Sequence, residues 1–381
     1  MSLALLLGSL VVAQGGHVAP AGTLSTPRSH HTATVLADGR VLVAGGRGQA
    51  ATETLASTEL YDPATNGWRP GPPMTTARAG HTATALLDGR VLVVGGTAPA
   101  ADGSSRFEAL ASAEVFDPKK NAWAAVGPLA EARNGHTATR LDDGSVLVIG
   151  GARSVHVHLA SVERFDPKAN TFSPRRPLGQ GRWLHEAVAL KDGSVVVLGG
   201  RSNQAAGDGG APLPKPGLAV PTVERYDATN GVWHPVPEMT EPRQRTAVVS
   251  DGDRVIVFGG QTTTMSTNYV EWWEPGGEGW AQSKSHLSVP IAGHTATRLP
   301  SGDVLVAGGE PPSAVDTARV QRWEHTAQRW CLSGQLKTAR KAHTATLLKD
   351  GSVLFAGGTS AGMPEGTAER WFPTKGACVE P

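Results

Sequence analysis

Six histidines recur in one local setting, at His31, His81, His136, His185, His294 and His343, and each except His185 is followed by threonine. Imidazole is a common metal ligand and titrates near neutrality, so a ring of them invites a metal or a proton relay. The same His in the same setting points instead to one repeated duty, a buried hydrogen-bonded position where repeats meet. A separate pair, His156 and His158, would share one face of an extended segment at a spacing suited to a single ion. A third ligand would have to come from His185 or Glu186, and no second motif completes the set. No metal or other cofactor is therefore assigned. Guanidinium groups form the other chemistry-bearing set. Arg47, Arg153 and Arg201 each follow a Gly-Gly pair by one or two residues, and Trp183 and Arg245 interrupt otherwise regular segments. Planar guanidinium forks suit carboxylates, and indole rings stack on sugars. No phosphate loop or Cys-x-x-Cys pair stands out.

These residues are carried by a stretch that returns seven times, clearest at Ala77 to Gly96 as ARAGHTATALLDGRVLVVGG. Its Gly-Gly pairs begin at Gly45, Gly95, Gly150, Gly199, Gly259, Gly308 and Gly357, with successive spacings of 50, 55, 49, 60, 49 and 49 residues. A period near fifty marks a repeat architecture. The His-Thr-Ala-Thr segment alternates and predicts an inner strand, and Asp-Gly predicts a tight hairpin turn. The run Val91 to Val94 is apolar on both faces, as a strand between two layers must be. Gly-Gly then permits a close backbone approach or an unusual φ. A third strand follows, as in Glu59-Leu60-Tyr61-Asp62-Pro63, and an aromatic such as Trp68, Trp123 or Trp330 marks a fourth.

Four antiparallel strands cannot bury both of their faces alone, but a closed ring of such units can. Four apolar residues, Gly-Gly, then a spaced Tyr and Trp resemble the kelch repeat, over about residues 22–381. The resemblance implies an all-β, seven-bladed β-propeller spanning 14–381. It also implies that the loops after Gly-Gly and the residues just after the inner-strand Arg converge on one mouth of the channel. That mouth would carry His30, Asn134, Trp183, Gln244 and Lys341 together with Arg47, Arg153, Arg201, Gln261 and Glu310. Family functions range over peptide binders, actin binders, lectin-like domains and a few enzymes, so the fold leaves function open. The copper-radical oxidases among them need a Tyr cross-linked to Cys with further Tyr and His ligands. Only Tyr61, Tyr226 and Tyr269 exist here, and both cysteines lie near the C-terminus, so that activity is not expected.

Function is sought where the repeats break their rule. The fourth unit reads Arg182-Trp183-Leu184-His185-Glu186; the fifth, Arg243-Gln244-Arg245-Thr246, reads as one residue short with Arg245 in the histidine slot; the sixth has Ile291 in the arginine slot. These departures are either drift of a tolerant scaffold or a ligand site across the fourth to sixth blades. The site residues of the preferred reading are Arg47, Asn134, Arg153, Trp183, His185, Glu186, Arg201, Gln244, Arg245 and Gln261, a binding module for a protein segment or glycan. The alternative is an extracytoplasmic carbohydrate-active enzyme, epimerase- or lyase-like, at the same mouth. A third reading is a surface scaffold.

The ends and composition bound the rest. Leu3 to Val12 is apolar and too short to span a bilayer, and Ala13 suits cleavage, so 1–13 reads as a signal peptide although no Lys or Arg precedes the run. A secreted, periplasmic or cell-surface location follows as an expectation. Aligning the last two units places Cys378 in the slot of Trp330, one residue from Cys331, which leaves open a disulfide or two buried thiols. The last blade takes its fourth strand from Gly376 to Pro381, from His17 to Ala21, or from both. A net charge of +1 with mixed signs gives no basis for a nucleic-acid partner, and a monomer is expected.

Overall fold

The computed structural model describes residues 15–50, 52–102, 104, 106–203, 217–313, 315–374 and 378–380. The expected signal peptide and the longest loop, 204–216, lie outside the described residues. Seven four-stranded antiparallel sheets form the blades of a propeller, and there is no helix among the described residues. The first blade runs outward through Thr32–Val35, Val41–Ala44, Thr58–Asp62 and Gly67–Gly71. Its second strand is buried throughout, and so are those of the other six blades. The cores lie between neighbouring blades. One joins Phe258 and Val270 of the fifth to Val304, Trp323 and Trp330 of the sixth. Each such aliphatic or aromatic side chain contributes about 1.5–3 kcal/mol on burial.

Each repeated residue has a structural cause. The Arg of every approach loop but the sixth, where Ile291 stands, is fully buried and bonds both main chain and carboxylate. Arg78 Nη1 donates to the Gly95 carbonyl (2.7 Å) and Nη2 to Glu114 Oε1 (2.9 Å). Glu114 also accepts from the Thr75 and Thr76 amides at 2.7 and 3.1 Å, so one carboxylate ties the approach loop to the third strand. The second residue of the Gly-Gly pair receives the next blade's backbone, since Gly96 N donates to the Arg133 carbonyl at 2.9 Å. A Cβ on Gly95 would sit 2.5 Å from that carbonyl, and both glycines have positive φ. Five of the six histidines join blade to blade, as where His81 Nε2 bonds Thr32 Oγ1 (3.0 Å), His136 bonds Thr82 and His185 bonds Thr137; His294 makes no such bond.

Four sequence expectations need correction or completion. The Asp-Gly signals do close tight hairpins, with the positive φ on the glycine. Leu36 N donates to Arg40 O and Gly39 N to Leu36 O, and only Gly39 has positive φ, which makes a three-residue loop ending in a left-handed glycine. The N-terminus supplies the missing strand, because Gly16–Thr23 pairs with Thr367–Pro373. Opposite Trp371 therefore stands Val18, not Cys378. Cys378 instead forms a disulfide with Cys331 on the outer strand of the sixth blade (Cα–Cα 5.0 Å), and Val379 bridges Leu332. Finally, Arg245 is not in the histidine slot. Gln244 bridges Gln261 as Ala79 bridges Thr97, which puts Thr246 opposite the histidines. The missing residue falls in the hairpin, where Ser250 faces Val255 across four residues while Val35 faces Val41 across five.

Candidate functional site at the mouth of the channel

Just inside the Arg of each approach loop stands a residue in the left-handed region: His30, Gly80, Gly135, Leu184, Arg245, Gly293 and Ala342, with φ between 50° and 66°. Their peptides form a collar around the axis. Gly80 N donates to His30 O (2.9 Å), Leu184 N to Gly135 O (3.1 Å) and Gly293 N to Arg245 O (3.0 Å). Longer bonds at 3.4–3.5 Å continue the collar through Gly135, His30 and Ala342. Among the described residues only the step from Leu184 to Arg245 lacks its bond.

The collar brings together part of the predicted set. Arg47, on the first blade, stacks its guanidinium 4.4 Å above the Phe107 ring and has no ion-pair partner among the described residues. Partial burial lowers its pKa. Arg245, on the fifth blade, lies over Gly293, where a Cβ would meet its Nη2 at 2.7 Å. His30 is exposed to the mouth yet encircled by the blades. That crowding, followed by the nearby Arg47 and Arg245 charges, lowers its pKa to about 4. Cations from non-adjacent blades thus converge on one imidazole. Lys341 and Glu310 complete the group, with Lys341 Nζ 2.7 Å from Glu310 Oε1 and Arg245 3.4 Å from Oε2. Lys341 also lies 3.4 Å from Asp316. The result is an electropositive floor in which Glu310 bridges Arg245 and Lys341.

Other predicted residues do different work. Trp183 is half-buried, lies over Gly135, packs on His158 (centroids 5.7 Å) and donates to Asn134 Oδ1 at 3.1 Å. Asn134 in turn donates to the Ala152 carbonyl (2.9 Å). Arg201 Nε donates to the Gly217 carbonyl (2.8 Å), Gln244 is buried, Gln261 bridges Gln244 and Ser266, and Arg153 is exposed. His185 lies buried at the blade junction, its pKa lowered to about 3 by burial and by Arg182. Glu186 opens the inner strand Glu186–Ala189 and has no hydrogen-bond partner among the described residues; it is half-buried by surface area but surrounded by protein, and burial alone raises its pKa to about 8. His156 is exposed and His158 buried, so the pair does not present two ligands together. Among the described residues one group of three metal-type ligand atoms exists, Glu324 with Cys331 and Cys378, and those sulfurs form the disulfide. Tyr61 and Tyr226 pack on Trp68 and Trp233, and Cys331 and Cys378 are joined to each other.

One feature escaped the sequence reading. Of the large apolar side chains left exposed among the described residues, Val155, Val157, Leu218, Met265, Val315 and Met363 all lie on loops after Gly-Gly, and only Leu87 lies elsewhere. These loops rise around the same mouth and belong to five blades. Aliphatic residues set in otherwise small or polar loops were the available signal.

A search among solved structures finds a fungal alcohol oxidase of the AA5 family, in complex with copper. It matches 95% of this chain and 76% of that chain at a TM-score of 0.70 and 19% identity, a likeness of fold. No curated protein sequence matches. A family model described as the KLHDC2/KLHL20/DRC7 Kelch-repeats domain matches residues 12–208, just over half of the chain. The repeat, the seven closed blades and this match together make the chain a member of the kelch-repeat propeller family.

Proposed function

We propose that the mouth binds a protein segment carrying a carboxylate between apolar side chains. A kelch propeller suggests a protein-interaction module. The observation that carries the finer reading is the concentration of exposed aliphatic tips, Val155, Val157, Leu218, Met265, Val315 and Met363, around one electropositive floor. Isolated apolar residues on a surface need no explanation, but their gathering on one face marks an interaction surface. Apolar contacts at the rim would exclude water, and Arg47, Arg245 and Lys341 would then meet a carboxylate in a partly desolvated setting where charge-assisted bonds are strong. A sugar partner is less favoured, because Trp183 is packed over Gly135 and against His158. Chemistry by His185 and Glu186 is also less favoured, since His185 is closed inside a blade junction.

Export belongs to the same proposal. It rests on the apolar Leu3 to Val12 run and on the Cys331–Cys378 disulfide, which fits an oxidising compartment. Selection from a random peptide library on the purified protein tests the binding reading. The expected winners combine Asp, Glu or a free C-terminus with aliphatic residues, and lose at least about ten-fold in affinity against Arg245→Ala. Winners that are basic, or indifferent to Arg245→Ala, would remove it.

A further inference from the structure

Glu310 occupies the slot that holds Arg47 and Arg201 in the first and fourth blades, directly after Gly-Gly. Among the described residues it is the one carboxylate that contacts both Arg245 and Lys341, whereas Asp316 touches Lys341 alone. The two contacts differ in quality. Lys341 Nζ is at 2.7 Å, a full charge-assisted bond. Both Nη atoms of Arg245 stand 3.4 Å from a single oxygen, Oε2, where a guanidinium fork prefers two parallel bonds near 2.8 Å. Arg245 is also the only charged residue in a left-handed slot that three other blades give to glycine. A side chain held in such a conformation is strained, and strain of this kind collects at binding sites.

Taken together, a strained Arg245 with an unused fork and a central carboxylate describe a site already filled by a poor occupant. We infer that Glu310 is a built-in competitor in the mouth, which an incoming carboxylate displaces from Arg245. The inference rests on the binding mouth proposed above and adds the residue that sets its threshold. On displacement Glu310 keeps Lys341, so the exchange leaves no cation bare. A ligand therefore has to offer Arg245 the bidentate geometry that Glu310 does not, and monodentate or weakly charged groups are turned away.

The test uses succinate and inorganic sulfate as probes on the full chain, with affinities read by calorimetry and by the ring shifts of His30. Glu310→Gln is expected to bind succinate about ten-fold tighter than the parent. Asp316→Asn, which removes the second partner of Lys341 and leaves the Arg245–Glu310 contact in place, should gain clearly less than Glu310→Gln, and adding Arg245→Ala to Glu310→Gln should abolish the gain. Glu310→Asp, one methylene shorter, should fall between parent and Glu310→Gln, and supplies the reading if Glu310→Gln folds poorly. A preference for succinate over sulfate marks a planar carboxylate site; equal gains mark a general anion site and sink the fork argument. Equal affinity of Glu310→Gln and parent, or an equal gain from Asp316→Asn, overturns the inference. These probes read the cationic floor alone, so their outcome is independent of whether the library selection yields a protein segment.

Discussion

At the scale of single residues, two side chains carry free energy that the fold does not need. Arg245 sits at φ 51°, where Gly80, Gly135 and Gly293 sit in other blades. Arg245→Gly should therefore keep or raise stability, by about 0.5–1 kcal/mol, while removing the floor cation. Thermal unfolding and peptide affinity measured on the same variant should move in opposite directions; a large loss of stability would show Arg245 to be structural. Glu186 has its pKa raised from 4.5 to about 8 by burial. The native state thus holds its proton over a window in which the unfolded chain has released it. Stability is complete below about pH 4.5 and is lost as the pH rises through 8. Glu186→Gln should match the parent in acid and exceed it by roughly 1–3 kcal/mol near pH 8.5. A constant offset across that range would mean that ionisation is not the cause. The junction histidines act in the opposite direction. Burial, then Arg28 for His31 and Arg182 for His185, lowers both to about 3. Their contribution is present above pH 6.5 and is lost as the pH falls toward those values.

At the scale of elements, the buried Arg–Glu pair is a staple between approach loop and third strand, and the sixth blade shows how it can be replaced. There Ile291 and Gln321 stand in the two slots, both buried; Ile291 joins the apolar core, and Gln321 still accepts from Ser288 N at 3.1 Å. Both members changed together, which is what the cost of an unpaired buried charge requires. Glu114→Gln alone should destabilise by about 3–5 kcal/mol, whereas adding Arg78→Ile should restore most of that. Urea denaturation of the two singles and the double gives the coupling, and additive losses would contradict the pairing. This level was the most legible from the sequence. Arg78, Glu114, Gly95 and His81 repeat because each answers a local demand met in nearly every blade. The register of the fifth unit was misread because its lost residue lies in a hairpin, whose length no local pattern fixes. The aliphatic tips were missed because a single Met265 or Val315 means nothing until the blades set the loops side by side.

At the scale of the molecule, ring closure relies on both ends of the chain. Gly16–Thr23 completes the seventh blade, and the Cys331–Cys378 disulfide fastens the following tail to the sixth. The bridge closes a separation of 47 residues, so Cys331→Ser with Cys378→Ser should cost about 2–4 kcal/mol in equilibrium unfolding. No change would mean that the tail adds nothing to closure. Which end supplied the strand was not legible, because His17 to Ala21 and the C-terminal tail are both short polar–apolar mixtures. The proposed binding face was legible only as a family expectation until the collar placed His30, Arg47, Arg245, Glu310 and Lys341 together.

The most direct measurement is amide hydrogen exchange on the whole protein with and without a peptide selected from the library. The account predicts protection confined to the loops after Gly-Gly, above all 261–268, 310–317 and 359–366, and to the approach residues around Arg245 and Lys341. Protection at the Asp-Gly hairpins on the opposite face, or along the outer strands, would contradict a partner-binding mouth.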